Sequence, residues 1–349
     1  MKFNKRLQNK VPVLTIVLLL MVVLVLTGCG SDANTQTSAP KAQITVQMGW
    51  LHEYSAAGYY TAEKNGHFDA QNLEVTLKEG GFGDEGYINP ISEVLAEKAD
   101  FGATSASELI MARSEGKSIV AIAAILQRSP YALISLAESN IVRPSDLLRK
   151  RIAVSDGSQA VGYRALLNSQ GIDLSEVNTV PRTSFGIDPL INGDVDVLGG
   201  WIINEGVLVE EAGLEPNFII SSDYGIDTYD TLIFTTEEMI NKQPDVVERF
   251  LQAIVLGLQD VVADPDQAVE FALSYNDSLV LEEQQRRMRA WLPLMKPAGS
   301  QPGMMQPEIW ELTHEILLDQ GILNEPIDIK AAYNLTFLEK VYDSQTANQ

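Results

Sequence analysis

The sequence predicts an α/β fold of two lobes with a ligand cleft between them. Roughly 300 residues follow a polar segment that ends near Lys41, more than one ordinary core accommodates. From Ala42 to about Asn241, short apolar runs alternate with longer amphipathic ones, and this order favours parallel sheets flanked by helices. Beyond Asn241 the pattern becomes helical. We therefore expect the last third of the chain to pack back onto the first lobe.

The N-terminus has the layout of an export signal. Four basic residues precede a continuous apolar run from Val11 to Leu26. The tetrapeptide Leu26-Thr27-Gly28-Cys29 resembles a bacterial lipobox, in which a peptidase cuts before the cysteine and the thiol receives diacylglycerol. Cys29 is the one cysteine of the chain, so no internal disulfide can form. The alternative is a retained transmembrane helix, for which about 18 apolar residues suffice.

These patterns divide the chain into five segments. In order, they are a signal peptide at 1–28, a lipidated cysteine with a flexible tether at 29–41, the first part of lobe 1 at 42–133, lobe 2 at 134–231, and a mostly helical return to lobe 1 at 232–349. The strands that cross between the lobes are expected near Leu133–Ser135 and Thr231–Ile233. Such a chain would act as a hinged clamp that closes on its ligand.

The charge of the chain excludes two classes of partner. The net charge is -22, and it becomes -26 without residues 1–28, with 21 Lys and Arg against 47 Asp and Glu. So acidic a surface repels nucleic acid and anionic lipid headgroups. Acyl chains on Cys29 would then hold the protein at the outer face of the cell membrane. We expect a monomer.

The segment Ile44 to Leu77, ITVQMGWLHEYSAAGYYTAEKNGHFDAQNLEVTL, carries a family resemblance. It resembles the opening of bacterial solute-binding proteins related to the fungal thiamine-pyrimidine synthases: a strand ending in Trp, Ala-Gly-Tyr-Tyr opening a helix, then Gly-aromatic-Phe. The resemblance continues through Lys98 to Gly102, Ala121 to Pro130, Gly193 to Asp196 and the late Ala332-Tyr333-Asn334, and so covers nearly the whole mature chain.

The resemblance implies a periplasmic-binding-protein-like fold of type II. It also implies an extracytoplasmic lipoprotein that delivers a small molecule to the permease and ATPase of an ABC importer. Riboflavin carriers belong to this family as well as carriers of thiamine pyrimidines.

Two tryptophans are the first candidates for ligand contact. Trp50 ends the first strand, and Trp201 follows the apolar run and glycines of Val195 to Gly200. In open α/β sheets ligands bind beyond the carboxyl ends of strands, where an indole stacks on a flat ring. Asn204 and Glu205 follow Trp201, and an amide with a carboxylate suits the edge of a heterocycle. A structural role for each indole and a solvated Glu205 are the alternatives.

Further polar and aromatic candidates follow other strands. Thr104 and Ser105 precede a helical run, so one hydroxyl is expected to cap that helix and another to face the ligand. Ser158 lies in Ser155 to Gln159, which repeats this arrangement in the second lobe. Asp223 and Tyr224 are predicted to add an acceptor and an aromatic wall, with an ordinary turn as the competing interpretation. Tyr54 is predicted to favour a larger ring system.

Catalysis finds little support in the sequence. The fungal synthases keep a cysteine-rich iron motif and a lysine and histidine on one helix, whereas Thr104 and Glu108 stand at those two positions here. The three histidines lie far apart, and no HExxH, CxxC, G-x-S-x-G or Walker motif occurs. We therefore predict a binding protein without cofactor or metal. His314, in a late amphipathic helix, is predicted to face solvent.

The loop after Trp50 guides the choice of ligand. Relatives that bind thiamine pyrimidines follow this tryptophan with Pro-Asn, whereas here Leu51-His52-Glu53 follows it. Riboflavin therefore ranks ahead of a hydroxymethyl- or formylamino-pyrimidine. A sulfonate-type anion ranks third, because the cleft segments offer few cations, Arg182 among them. A binding protein coupled to a sensor and a degraded enzyme are the alternatives to transport.

Overall fold

The computed structural model describes residues 40–83, 86–182 and 186–347. Its strands are β1 Ala42–Gln47, β2 Leu73–Lys78, β3 Phe82–Gly83, β4 Gly86–Tyr87, β5 Phe101–Thr104, β6 Ile119–Ala124, β7 Tyr131–Leu136, β8 Arg151–Val154, β9 Asn178–Pro181, β10 Val197–Trp201, β11 Pro216–Ile220 and β12 Leu232–Thr236. Its α-helices are α1 Ala57–Lys64, α2 His67–Ala70, α3 Pro90–Leu95, α4 Ala106–Ser114, α5 Ser158–Ser169, α6 Asp188–Ile191, α7 Val207–Glu211, α8 Glu237–Lys242, α9 Pro244–Ala263, α10 Pro265–Leu273, α11 Leu281–Met295, α12 Pro307–Asp319 and α13 Thr336–Ala347.

Two five-stranded sheets form the centres of the two lobes. The lobe 1 sheet has the order β2-β1-β5-β12-β6, and the lobe 2 sheet has the order β11-β7-β10-β8-β9. The predicted α/β fold of two lobes is therefore confirmed. Both sheets are mixed, however, so the expectation of parallel sheets was wrong. The strands that enter each sheet after a crossing, β7 and β12, run antiparallel to both of their neighbours.

The first crossing between the lobes lies earlier than predicted. Leu133, placed in the predicted crossing, pairs with Gly199 and Ile219 inside the lobe 2 sheet. The crossing therefore occupies residues 125–130 and ends at Pro130. Proline has no N–H for a central strand and thus marks where the new strand begins. The second crossing precedes β12, because Leu232 and Ile233 already pair with Thr104 and Ala103 in lobe 1.

Hydrogen bonds join the two crossing segments to each other. The backbone N–H groups of Ile125 and Leu126 donate to the carbonyl oxygen of Thr231, at 2.9 and 3.1 Å. The N–H of Ser129 donates to Asp227 Oδ1 at 2.7 Å. The two crossing segments are thus fixed side by side. A hinge between the lobes must lie at these segments.

The helical return completes the core of lobe 1. Phe250 of α9 stacks on Phe101 of β5, with ring centroids 4.0 Å apart. Helix α9 also lies against α1, which follows the Trp50 loop. At this contact a β-carbon on Gly257 would lie 2.3 Å from the carbonyl oxygen of Gly58 and 2.9 Å from Ala62 Cβ. The glycine therefore permits the close approach of the two helix backbones.

His314 is buried on α12, contrary to its predicted exposure to solvent. Its ring nitrogen Nε2 accepts a hydrogen bond from the backbone N–H of Ile327 at 3.1 Å. Ile327 lies in the segment that follows the helix. A hydrogen bond of this kind satisfies the buried ring and fixes the next loop. Periodicity alone could not reveal that partner.

The predicted signal peptide, Cys29 and the tether up to residue 39 lie outside the described residues. Within the part of the chain that the structure describes, no helix is long and apolar enough to cross a membrane. At the start of this part, Lys41 Nζ donates to Asp69 Oδ1 at 2.6 Å. The folded body thus begins at Lys41, inside the segment predicted as a tether.

Replacement of Gly257 by alanine should destabilise the protein by about 1–3 kcal/mol, because the added methyl group meets backbone atoms that cannot rotate away. Chemical denaturation monitored by circular dichroism measures this loss. The matched control is Gly162→Ala in α5, where the nearest atom to the new β-carbon is Tyr131 Cδ1 at 3.3 Å. Equal stabilities of the two variants would contradict this account of the α1–α9 contact.

Candidate functional site

A cleft of about 510 Å³ lies between the two lobes. This volume falls in the range of about 300–1,000 Å³ that is usual for small-molecule sites. Eight of the ten predicted ligand-binding residues line it: Trp50, Tyr54, Thr104, Ser105, Ser158, Trp201, Asn204 and Glu205. The structure thus brings together residues that are up to 155 positions apart in the chain. Their contact with a ligand stays a prediction.

The two tryptophans enter the cleft from different lobes. Trp50 follows β1 in lobe 1 and is 41% exposed, and its ring meets the edge of Phe82 at 6.2 Å. Trp201 ends β10 in lobe 2 and is partly buried against the cores of both lobes. Exposed indole surface at such a cleft offers a flat ring a stacking partner, worth about 0.5–1.5 kcal/mol beyond area burial.

A hydrogen-bond network joins the lobes at one end of the cleft. The hydroxyl of Tyr54 donates to Asn204 Oδ1 at 3.1 Å, and Arg287 Nη1 donates to the same oxygen at 3.0 Å. Tyr54 itself is fixed by its backbone N–H, which donates to Gln284 Oε1 at 2.9 Å. Because Asn204 belongs to lobe 2 and the others to lobe 1, this network bridges the two lobes. Tyr54 and Asn204 therefore also hold the two lobes together beside the cleft.

Glu205 forms a buried ion pair at the lobe 2 side of the cleft. Arg182 Nη2 donates to Glu205 Oε1 at 2.8 Å, and the side chains are 3% and 11% exposed. The backbone N–H of Trp201 donates to Glu205 Oε2 at 2.8 Å. Both carboxylate oxygens thus accept hydrogen bonds within the protein. Glu205 thus orients the backbone of Trp201 and neutralises the charge of Arg182. The sequence suggested neither role.

The hydroxyls of Thr104 and Ser105, at the start of α4, have different hydrogen-bond partners. Ser105 Oγ accepts the backbone N–H of Glu108 at 3.2 Å and so caps the helix. Thr104 Oγ1 donates to Glu108 Oε2 at 2.6 Å, which holds this carboxylate at the cleft. In lobe 2, Ser155, Ser158 and Gln159 line the cleft around the first turn of α5.

Asp223 and Tyr224 lie away from the cleft, so the structure does not bring these two predicted residues to the site. Arg128 Nη2 donates to Asp223 Oδ1 at 3.5 Å near the second crossing, and Tyr224 packs against the lobe 2 core. They form a short turn after β11, which was the competing interpretation. Their strand, β11, ends at the same edge of the sheet as β10, but it is the outermost strand, separated from β10 by β7.

Several lining residues escaped the sequence analysis, among them Glu53, Asp230, Arg287 and Trp291. Glu53 precedes Tyr54 in the loop after Trp50, and burial raises the pKa of its carboxyl. Arg287 and Trp291 lie on α11, far along the chain from the strands that form the cleft. Of these four, only for Glu53 did the sequence offer a signal, since it lies in the same loop as two predicted residues.

Asp230 is the most perturbed carboxyl of the cleft. Burial raises its pKa to about 7, with smaller contributions from the negative charges of Asp227 and Glu108, against a hydrogen bond with Ser129 that lowers it. Among the described residues its Oδ2 has no hydrogen-bond partner and is shielded from solvent. Carboxyls thus outnumber cations at this site, where Arg182 is already paired with Glu205.

A two-lobed α/β fold with a ligand-sized cleft between its lobes defines the fold class as that of periplasmic binding proteins. Comparison with solved structures agrees. The periplasmic sulfonate-binding protein SsuA from Methylobacillus flagellatus KT, described as putative, superimposes with a TM-score of 0.69 at 15% identity, over 88% of this chain and 96% of that one. Within residues 40–83, 86–182 and 186–347, no group of three or more His, Cys, Asp or Glu could hold a metal ion.

The chain belongs to the NMT1/THI5-like family, whose model matches residues 53–268. The riboflavin-binding protein RibY of Chloroflexus aurantiacus is 25% identical over 344 residues, covering 91% of this chain and 96% of its own. A formylaminopyrimidine-binding protein of Halalkalibacterium halodurans is 22% identical, covering 91% and 97%. An enzyme, the 4-amino-5-hydroxymethyl-2-methylpyrimidine phosphate synthase of Legionella pneumophila, is 22% identical, covering 86% and 94%.

Asp230 should make the stability of the protein depend on pH. Its pKa is higher in the folded chain than the value of about 3.8 expected when unfolded, so the stability associated with its protonation is complete below pH 4 and is lost as the pH rises towards 7. Replacement by asparagine removes this dependence. The stability of Asp230→Asn relative to wild type should therefore increase between about pH 4 and 7 and then stay level, as measured by urea denaturation.

The matched control for this experiment is Asp223→Asn, which changes an exposed carboxyl outside the cleft. A stability difference between Asp230→Asn and wild type that is constant from pH 4 to 8 would show that Asp230 ionises normally.

Proposed function

We propose that this protein is the extracytoplasmic solute-binding component of an ABC importer and that its ligand is a planar nitrogen heterocycle, with riboflavin as the first choice. The observation that carries this proposal is the pair of indoles, Trp50 from lobe 1 and Trp201 from lobe 2, which line one cleft. A flat ring between the lobes gains contacts from both only when they close, which gives the ligand its preference for the closed state.

The charge of the cleft supports a neutral heterocycle over an anion. Glu53, Glu108 and Asp230 line it, whereas the guanidinium of Arg182 is compensated by Glu205. Among the described residues, the other cation of the cleft, Arg287, interacts electrostatically with the carboxylate of Glu53. A sulfonate would need a cation with capacity to spare and no nearby carboxylates. The resemblance in fold to sulfonate-binding proteins therefore does not extend to this ligand class.

The size of the cleft and the similarity of the chain to a flavin-binding relative favour a flavin over a single pyrimidine. A three-ring system with its side chain makes use of a volume of about 510 Å³ that one six-membered ring leaves largely empty. RibY supports the flavin, and the formylaminopyrimidine-binding protein supports the alternative. The second candidate is accordingly a hydroxymethyl- or formylamino-pyrimidine.

A binding role is supported over an enzymatic one by the chemistry of the cleft. The binding protein RibY is 25% identical to this chain, and a pyrimidine phosphate synthase is 22% identical. Thr104 and Glu108 occupy the positions at which the fungal synthases carry lysine and histidine, and Glu108 accepts the hydroxyl of Thr104. A transport role predicts that deletion of the gene abolishes uptake of the vitamin, whereas a sensor role leaves uptake intact and changes a signalling response.

Loss of either indole should weaken binding of riboflavin. Trp50→Ala and Trp201→Ala each remove stacking and buried area worth about 2 kcal/mol, which corresponds to roughly a 30-fold increase in Kd. Quenching of flavin fluorescence on titration with protein measures this. Tyr224→Ala is the matched aromatic control, since it lies outside the cleft. Unchanged affinity in both tryptophan variants, with thermal unfolding like that of wild type, would contradict the clamp.

The proposal also includes a lipid anchor at Cys29, with the cell membrane as location and the permease and ATPase as partners. Cys29→Ser removes the thiol that would receive the lipid, so labelled palmitate should no longer be incorporated and the protein should no longer be processed before residue 29. Metabolic labelling followed by membrane fractionation tests this. A mature protein that stays lipidated after the substitution would overturn the assignment.

A further inference from the structure

The cleft contains side-chain atoms that the protein itself leaves without hydrogen bonds. Among the described residues, four buried atoms of this kind belong to cleft-lining side chains: Tyr59 OH, Gln159 Oε1, Asp230 Oδ2 and Arg287 Nε. A buried polar atom without a partner costs about 1–3 kcal/mol, so such atoms are rare in folded proteins unless another molecule satisfies them. Their concentration at one cleft points to a ligand with polar groups.

We propose that Asp230 and Gln159 form an anchor for hydroxyl groups on a flexible arm of the ligand, so that the ligand is a heterocycle carrying a hydroxylated side chain. This proposal rests on the proposed function and deepens it, because the ring is assigned to the tryptophans and the arm to this anchor. Riboflavin, with a chain of hydroxyl groups attached to its ring system, is a ligand of that class.

Asp230 supplies the half of the anchor on the lobe 1 side. It lies on the second crossing segment, next to Tyr229, whose carbonyl oxygen accepts the N–H of Ala106 in α4 at 2.8 Å. It lies directly before Thr231, whose carbonyl oxygen accepts two N–H groups of the other crossing segment. The backbone of Asp230 is thus held firmly while its Oδ2 stays buried without a partner at the cleft. A fixed acceptor of this kind selects a ligand group that donates a hydrogen bond.

Gln159 supplies the lobe 2 half. It lies in the first turn of α5, beside Ser158 and near Ser155, and all three side chains line the cleft. Its Oε1 is a second buried acceptor without a partner among the described residues. Since Asp230 lies where the crossing segment is tied to lobe 1, an arm that donates to both acceptors connects lobe 2 with the lobe 1 side of the cleft. The arm would thus add to the stabilisation of the closed state.

Hydroxyl groups fit this anchor better than an ammonium group does. A carboxyl with a pKa near 7 is partly protonated at neutral pH and is therefore a poor permanent counter-ion for a cation. Arg287 also lines the cleft and repels a positive ligand. A hydroxyl donates to Gln159 Oε1 and to an ionised Asp230, and it accepts from Asp230 when that carboxyl is protonated. The neighbouring hydroxyls of Ser155 and Ser158 serve it as donors or acceptors.

The test compares riboflavin with lumiflavin, which has the same ring system with a methyl group in place of the hydroxylated chain. Wild-type full-length protein in mild detergent should bind riboflavin at least about tenfold more tightly than lumiflavin. Asp230→Ala and Gln159→Ala should each weaken riboflavin about tenfold and change lumiflavin by less than twofold. Titration of flavin fluorescence gives all the constants, and thermal unfolding shows that each variant is folded.

The matched controls are Asp223→Ala and Gln170→Ala, which remove the same side chains outside the cleft and should bind both flavins like wild type. Equal losses for the two flavins in the Asp230 and Gln159 variants, or no loss for riboflavin, overturn the anchor. Trp50→Ala should by contrast weaken both flavins equally.

Failure of the ring assignment gives a different result. If wild type binds no flavin, riboflavin is the wrong ligand, and the same variants are then titrated with 4-amino-5-hydroxymethyl-2-methylpyrimidine and its 5-methyl analogue. The anchor requires that the Asp230 and Gln159 variants weaken the hydroxymethyl compound selectively. A wild-type protein that prefers neither hydroxylated ligand over its methyl analogue overturns the anchor for both rings.

Discussion

The rest of the structure depends on the way in which the chain passes between its two sheets. Residues 125–130 and the segment before β12 lie side by side, joined by bonds from Ile125 and Leu126 to Thr231 and from Ser129 to Asp227. Each lobe therefore has a fixed position at the hinge but remains a separate packed body. The lobes also meet at the Tyr54–Asn204 network, at the ion pair of Arg286 with Glu211, and where Gln320 Nε2 donates to the carbonyl oxygen of Val161. The cleft is the space that these contacts leave open between them.

The cleft combines two kinds of surface that place opposite demands on a ligand. The tryptophans offer flat apolar area, whereas the unpartnered atoms of Asp230 and Gln159 require polar groups. The carboxylates of Glu205 and Glu53 act on two cations of the cleft, Arg182 and Arg287, and so weaken its attraction for an anion. One fold thus serves different ligand classes through the pairing of a few charges, while the sheets and their connections stay the same.

Local patterns in the sequence were sufficient for part of this description. The alternation of elements predicted the two lobes, and the position of Trp50 and Trp201 after strands placed both at the cleft. Asp230, Arg287 and Trp291 were beyond such reasoning, because their proximity to the cleft arises from a crossing and from a helix that packs back over long sequence distances. The same limit explains Glu205, whose buried partner Arg182 lies 23 positions earlier. Asp223 failed for the converse reason, since a local strand-end pattern cannot tell that β11 is the outermost strand of its sheet and lies apart from the cleft.

The position of β12 has a consequence for the order in which the molecule can assemble. The five strands of lobe 2 are contiguous in the chain, from Tyr131 to Ile220, so the sheet of that lobe needs no strand that follows it. In lobe 1, by contrast, β12 lies between β5 and β6. The facing edges of β5 and β6 therefore stay unpaired until the chain from residue 232 onward is available to pair with them. A chain threaded through a membrane from its N-terminus would therefore finish its first lobe last. Contacts so distant in sequence close slowly, so lobe 1 stays open along its sheet for some time after lobe 2 has formed.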